Sequence, residues 1–170
     1  AWKQFEKDGH ATFICTVPGK RRARMSIFRK QDGFGAVIRL QPNRITLAEH
    51  HGMPKLFDRI AKQDTGFVLI AGPAGSGKTS FLHSLIDHLN ASRASQIVSL
   101  EHPIEHKHGN KKGMVIQRDL GANLKSRMRA IAGVHALSAD VLAIDGMEAG
   151  PEACSVLDGS FGETLVIATM

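Results

Sequence analysis

Apolar residues recur along this chain with two different periods, and the change of period divides it. Between residues 11 and 40 they come in short alternating runs. Ala11-Thr-Phe-Ile-Cys-Thr-Val17, Arg22-Ala-Arg-Met-Ser-Ile-Phe-Arg29 and Gly35-Ala-Val-Ile-Arg-Leu40 each read as a strand. Pro18-Gly19-Lys20 and Gln31-Asp32-Gly33 separate them as turns, which makes an antiparallel meander. In the second strand Ala23, Met25 and Ile27 alternate with Arg22, Arg24 and Ser26, so one face is apolar and the other presents arginines. Arg39 stands among apolar neighbours in the third strand.

Gln41-Pro42-Asn43-Arg44 breaks the alternation, and Thr46 is placed to cap a short helix through Glu49 and His50 that ends at Gly52. A domain boundary is expected in this stretch, with a small domain over residues 1–45 and a core over residues 46–170. From there helical spacing alternates with continuous apolar runs. Leu56, Phe57, Ile60 and Ala61 share one face of a helix over 55–62, and Phe81, Leu82, Leu85, Ile86 and Leu89 one face of a helix over 78–90. Strands are expected at 66–71, 96–100, 114–117, 141–144 and 165–169, and further helices within 125–136 and over 151–157. Strand and helix in alternation predict an α/β core, a mostly parallel sheet with helices on both faces.

Composition adds bounds. A chain of 170 residues with 42% hydrophobic residues has enough apolar side chain for a core. No apolar run approaches the roughly 20 residues that span a bilayer, and Ala1-Trp-Lys-Gln-Phe-Glu-Lys-Asp8 lacks the apolar region of a signal peptide, so a cytoplasmic location is expected. Cys15 and Cys154 suggest neither a disulfide framework nor a thiolate metal site, and each is expected as a small buried side chain. The formal net charge of +6 is compatible with nucleic acid, an anionic membrane face or a nucleotide, and selects none of them.

The candidate chemistry lies between the strand at 66–71 and the helix at 78–90. Gly72-Pro73-Ala74-Gly75-Ser76-Gly77-Lys78-Thr79 is a G-x-x-x-x-G-K-[ST] loop, followed by Ser80 in the first helical turn. The glycines let the backbone turn sharply and aim its N–H groups at phosphate oxygens. Lys78 is expected to reach the β- and γ-phosphates and Thr79 to ligate Mg²⁺, at a helix N-terminus whose dipole favours an anion. A nucleoside triphosphate with Mg²⁺ is therefore the expected ligand, and the resemblance given below makes it ATP. Acidic side chains end two other strands, Glu101 and Glu105 after the strand at 96–100 and Asp145 after that at 141–144, where open α/β sheets bind ligands. An apolar strand ending in Asp is the Walker B form of many P-loop ATPases, so Asp145 stands either in the metal shell or as an exposed loop aspartate. His102, His106 and His108 are a weak metal set, since Pro103 prevents helical alignment and no cysteine is close in sequence.

Several segments in order carry a family resemblance: Arg22-Ala-Arg24, Ile38-Arg39-Leu-Gln-Pro42, Ile45-Thr-Leu-Ala-Glu49, the P-loop, Glu101-His-Pro-Ile-Glu105, Val115-Ile-Gln-Arg-Asp119, Ala139-Asp-Val-Leu-Ala-Ile144 and Leu165-Val-Ile-Ala-Thr169. Together they resemble the secretion ATPases of type II and type IV secretion and of type IV pili, the pilus retraction motors in particular. The resemblance implies a PAS-like N-terminal domain, a RecA-like P-loop core, and a homo-oligomeric ring hexamer in the full-length form. It further implies a pilus or secretion platform protein of the inner membrane as partner, with the ATPase peripheral to that membrane's inner face. Glu105 falls where the family carries its water-activating glutamate. Arg22, Arg24 and Arg39 match arginines that approach the triphosphate, while a structural place on a solvated strand face stays open for Arg22 and Arg24.

The chain also departs from the family. His102 replaces the Asp of the acidic box, Gly146 occupies the Walker B glutamate position, Ala132 and Ala136 replace two arginines, and Met170 stands just before the family's His box, so the core is expected to lack its C-terminal helices. With Gly146 bare, any hydrolysis requires Glu105 to orient water and either Asp145 or Glu101 to support the metal. Three readings follow: an ATP-hydrolysing motor subunit, a degenerate ring subunit that binds ATP with little turnover, and a RecA-like ATPase acting on nucleic acid. Eight Phe, one Trp, no Tyr and no RNA-binding signature argue against the third, so nucleic acid is not an expected partner.

Overall fold

The alternating residues of the first unit build a three-stranded antiparallel sheet in the order β1-β2-β3, with β1 at His10–Val17, β2 at Arg21–Lys30 and β3 at Gly33–Leu40. The computed structural model describes residues 2–18, 21–41, 44–120, 127–157 and 162–170. It divides the chain into two units, Ala1–Arg44 and Ile45–Met170. Gly19 and Lys20 of the first expected turn, Pro42 and Asn43 of the expected break, and the start of the helix expected within 125–136 lie outside the described residues.

Register sorts the first sheet into two faces. Ala11–Ile27–Ala36, Phe13–Met25–Ile38 and Cys15–Ala23–Leu40 form apolar rows, whereas Ile14–Arg24–Arg39 and Thr16–Arg22 lie on the opposite face. A helix that the apolar pattern does not predict, α1 at Trp2–Asp8, precedes β1. It buries Phe5, whose ring centroid lies 5.6 Å from that of Phe34. The helix stops at Gly9, whose left-handed φ of 70° lets its N–H bond back to the Phe5 carbonyl. Cys15 is half-buried, and Cys154 is exposed rather than buried, because it sits on the outer side of a one-sided helix.

The second unit is a five-stranded, all-parallel sheet in the order β4-β8-β7-β5-β6. Its strands are β4 (Gly66–Ile70), β5 (Gln96–Glu101), β6 (Met114–Asp119), β7 (Val141–Ile144) and β8 (Leu165–Thr169). Both faces are covered, which is why β7 at the centre is apolar throughout. Ile97, Val141, Ala143, Leu165 and Ile167 point to one side, where α2 (Pro54–Ala61) adds Phe57 and Ile60 and α3 (Lys78–Ser92) adds Leu82, Leu85, Ile86 and Leu89. Val98, Leu100, Leu142, Ile144, Val166 and Ala168 point to the other, against α4 (Arg127–Ala132) and α5 (Pro151–Leu157). The four buried apolar residues of α3 fall at i, i+3, i+4 and i+7, and each contributes about 1.5–3 kcal/mol of apolar burial.

One local expectation is corrected. The turn at Ala48–His51 begins after Leu47, and no side chain caps it. Thr46 instead lends its carbonyl to the Ser84 hydroxyl at 2.5 Å, since Ser84 lies on the buried side of α3 and needs acceptors there.

Candidate functional site

Strand β4 ends at Ile70, and the exposed residues Gly72, Pro73, Ala74, Gly75, Ser76 and Gly77 turn the chain into α3. Gly75 and Gly77 hold φ of 80° and 92°, the left-handed region that other residues avoid. The first bond of the α3 ladder runs from Phe81 N–H to the Gly77 carbonyl at 2.9 Å. The N–H groups of Lys78, Thr79 and Ser80 therefore precede that ladder, and no side chain caps the helix. The Lys78 ammonium folds back over the loop, donating to the carbonyls of Gly72 (2.6 Å) and Pro73 (2.9 Å). Backbone donors at a helix start and a cation within a glycine turn fit a phosphate chain. A cavity of about 700 Å³ opens beside them, lined by Gly72, Ser76 and Lys78 and by the less polar His51, Met53 and Leu56.

Thr79 and Asp145, 66 residues apart in sequence, meet here. The Thr79 hydroxyl lies 3.1 and 3.2 Å from the two Asp145 carboxylate oxygens. From β8, Thr169 donates its hydroxyl to Asp145 Oδ1 at 2.8 Å and accepts the Gly146 N–H at 2.7 Å. Gly146 has φ of 70°, so the backbone swings out of the strand one residue after Asp145. A hydroxyl and a carboxylate converging at the end of the P-loop are the hard oxygen donors that Mg²⁺ prefers.

Glu101, at the end of β5, is buried beside this pair. Its Oε1 accepts from Ser99 Oγ at 2.5 Å and Gln117 Nε2 at 2.9 Å, and its Oε2 lies 3.4 Å from His83 Nε2. Burial raises the Glu101 carboxyl from 4.5 to about 7, the bonds from Ser99 and Gln117 oppose the rise, and the charges of Asp145 and Asp119 add to it. Burial lowers His83 to about 3, with His106 and His108 assisting. The contact is therefore between a neutral imidazole and a carboxyl that gains a proton below about pH 7, not between two full charges. His83 Nδ1 lies 3.0 Å from His108 Nε2, and burial lowers His108 to about 4 against the pull of Asp87. Sequence reasoning missed His83. Its only signal is a polar residue beside the apolar stripe of α3.

Glu105 is half-buried in the stretch between β5 and β6, which has no helix or strand of its own. His102 pairs with Asp119 (3.1 Å). In the first unit Arg24 and Arg39 are directly opposite each other on β2 and β3, and Arg22 is two residues from Arg24 on the same face. Ala132 and Ala136 are both exposed, at the end of α4 and in the turn after it.

The family model described as Type II/IV secretion system protein matches residues 11–134. The type IV pilus retractation ATPase PilT of Pseudomonas aeruginosa is 38% identical over 118 residues, which are 69% of this chain and 34% of that protein. A twitching motility protein of Neisseria gonorrhoeae is 30% identical over 145 residues, 85% of this chain and 39% of that protein. A crystal structure of the pilus retraction motor PilT with bound ADP superposes with a TM-score of 0.90 at 29% identity, over 99% of this chain and 49% of that one. The Legionella pneumophila ATPase DotB gives a TM-score of 0.85 at 18% identity, again over 99% of this chain and 49% of the other, a likeness of fold alone. The chain thus spans about a third to two fifths of the curated relatives' length and about half of the solved chains. The expected fold class holds: a RecA-like α/β core preceded by a small antiparallel α+β domain.

Proposed function

The chain belongs to the type II/IV secretion system protein family, and from that membership we propose that it binds ATP with Mg²⁺ and hydrolyses it as a motor subunit of a type IV pilus or secretion system, in the manner of PilT. The observation that carries this reading is the convergence of Thr79 and Asp145 at the start of α3, beside the Lys78 ammonium. Lys78 and the N–H groups of residues 75–80 hold the phosphates. Thr79 and Asp145 hold the metal, with Glu101 behind them. Mg²⁺ bound there would supply Lewis-acid polarisation of the phosphate oxygens. Glu105 orients the attacking water and takes its proton on a carboxylate oxygen. Arg24 and Arg39, side by side on one face of the first sheet, answer the charge of the triphosphate in the assembled form. The assembly is a homo-oligomeric ring on a platform protein at the inner face of the inner membrane.

Gly146 favours a second reading, in which the subunit binds ATP but turns it over poorly. A bare position leaves binding intact and removes transition-state stabilisation. Equilibrium binding of Mg²⁺–ATP to the wild type and to Lys78→Ala, together with turnover, tests both. A charge-assisted contact of about 1.5–3 kcal/mol predicts about a 10- to 100-fold loss of affinity in the variant, with loss of turnover. Binding without turnover in the wild type selects the second reading. Unchanged affinity and turnover in Lys78→Ala defeat both.

A further inference from the structure

The stretch that carries Glu105 is tied down on both sides of that residue by two side chains of one strand. Asp119 Oδ1 lies 3.1 Å from His102 Nδ1, and Asp119 Oδ2 accepts the Ile104 N–H at 3.3 Å. Gln117 donates its amide to the His106 carbonyl at 2.7 Å and accepts the His108 N–H on its Oε1 at 2.9 Å. Its amide also donates to Glu101 Oε1 at 2.9 Å, so the NH₂ group serves two acceptors and the carbonyl a donor. Gln117 and Asp119 are two residues apart on β6 and so face the same way. The residues they hold, 102, 104, 106 and 108, are also two apart, and Glu105 is at the centre of that row.

We propose that Gln117 and Asp119 are positioning residues: Asp119 fixes the leading flank of Glu105 and Gln117 the trailing flank, so that Glu105 projects from a backbone of defined place. The role assigned to Glu105 is that of the preceding reading, on which this inference rests. A stretch without helix or strand has no ladder of its own to set its backbone, and every free residue in it opposes ordering by its entropy. The two β6 side chains replace the missing ladder. Gln117 also links the flank to Glu101, so the two acidic groups of the box share one support.

The test combines amide hydrogen exchange across residues 102–108 with single-turnover hydrolysis and nucleotide affinity, on the chain carrying Asp119→Ala, Gln117→Ala or Gln117→Glu. Asp119→Ala should speed exchange at Ile104 and leave His108 protected, and Gln117→Ala should do the reverse. Gln117→Glu keeps the acceptor for His108 N–H but turns the two donors into an oxygen facing a carboxylate and a carbonyl, so it should release the His106 carbonyl while His108 N–H stays protected from exchange. Each variant should lower the single-turnover rate by about 10- to 100-fold and leave affinity for Mg²⁺–ATP within about twofold, the signature of a displaced catalytic group. Asp119→Asn, which keeps an oxygen for Ile104 N–H, should recover most of the rate. Asp119 stands at the strand's end and is partly exposed, so its variants decide the matter should Gln117→Ala fail to fold. Unchanged exchange on both flanks overturns the clamp, and a loosened flank with a wild-type rate overturns the positioning role. A wild type without turnover defeats the hydrolytic reading instead, and the exchange pattern then supports or overturns the clamp by itself.

Discussion

Replacing His83 by Ala should flatten the pH dependence of the stability of the Ile45–Met170 unit. Glu101 is raised from 4.5 to about 7 in the fold, so it contributes stability that is present below 4.5 and lost as pH rises towards 7. His83 and His108 are lowered from 6.5 to about 3 and about 4, so they contribute stability that is present above 6.5 and lost as pH falls. In the window between 4.5 and 6.5 the unfolded chain carries two histidine protons that the fold excludes, while the fold keeps one carboxyl proton that the unfolded chain has lost. The net is one extra proton on the unfolded chain, and stability should rise by roughly 1 kcal/mol per pH unit through this window. Without His83 the remaining two groups cancel and the slope should fall to about zero, while Glu101→Gln should make it about twice as steep as in the wild type. Removing the imidazole also leaves a cavity, but that lowers stability at every pH alike and does not alter the slope. Urea unfolding followed by circular dichroism at a series of pH values across the window measures it. A His83→Ala slope equal to that of the wild type would refute the assignment of His83 as a buried, neutral side chain.

Two further substitutions probe the metal end of the site. Thr79→Val keeps the shape of the side chain and removes the hydroxyl that faces Asp145, so Mg²⁺ should add about 10-fold less to nucleotide affinity, while affinity in chelator stays as in the wild type; titrations with and without Mg²⁺ check it. Gly146→Glu returns a carboxylate to a position whose φ is 70°, so it should cost about 1–2 kcal/mol in urea unfolding even where it raises hydrolysis; no loss of stability would mean that the turn after Asp145 is not held as described.

The P-loop and the order of strands and helices along the chain were legible in the sequence because each rests on local spacing. Alternation marks the faces of the first sheet, and the period of α3 marks Leu82, Leu85, Ile86 and Leu89. The spatial order β4-β8-β7-β5-β6 was not legible, since it depends on long-range pairing that no local pattern encodes. The meeting of Thr79 with Asp145 was open in the sequence, because a carboxylate at a strand terminus points wherever the next residue lets the backbone turn; Gly146 decides it. His83 escaped because α3 is covered over a wide arc, with His83 and Ser84 buried as fully as their apolar neighbours. The α1 helix escaped because seven residues with two aromatic rings carry too little period to distinguish helix from loop. Gln117 and Asp119 read as the polar end of an apolar strand, and their partners are visible only once β6 lies beside β5.

Whether Glu105 acts on water at a nucleotide held by the P-loop is measured most directly by single-turnover ATP hydrolysis in Glu105→Gln. The substitution keeps size and hydrogen bonding and removes the base. Turnover should fall by about 10²- to 10⁴-fold while ATP affinity stays close to that of the wild type. Brisk hydrolysis that is indifferent to Glu105 would contradict its role as the base and place the chemistry elsewhere.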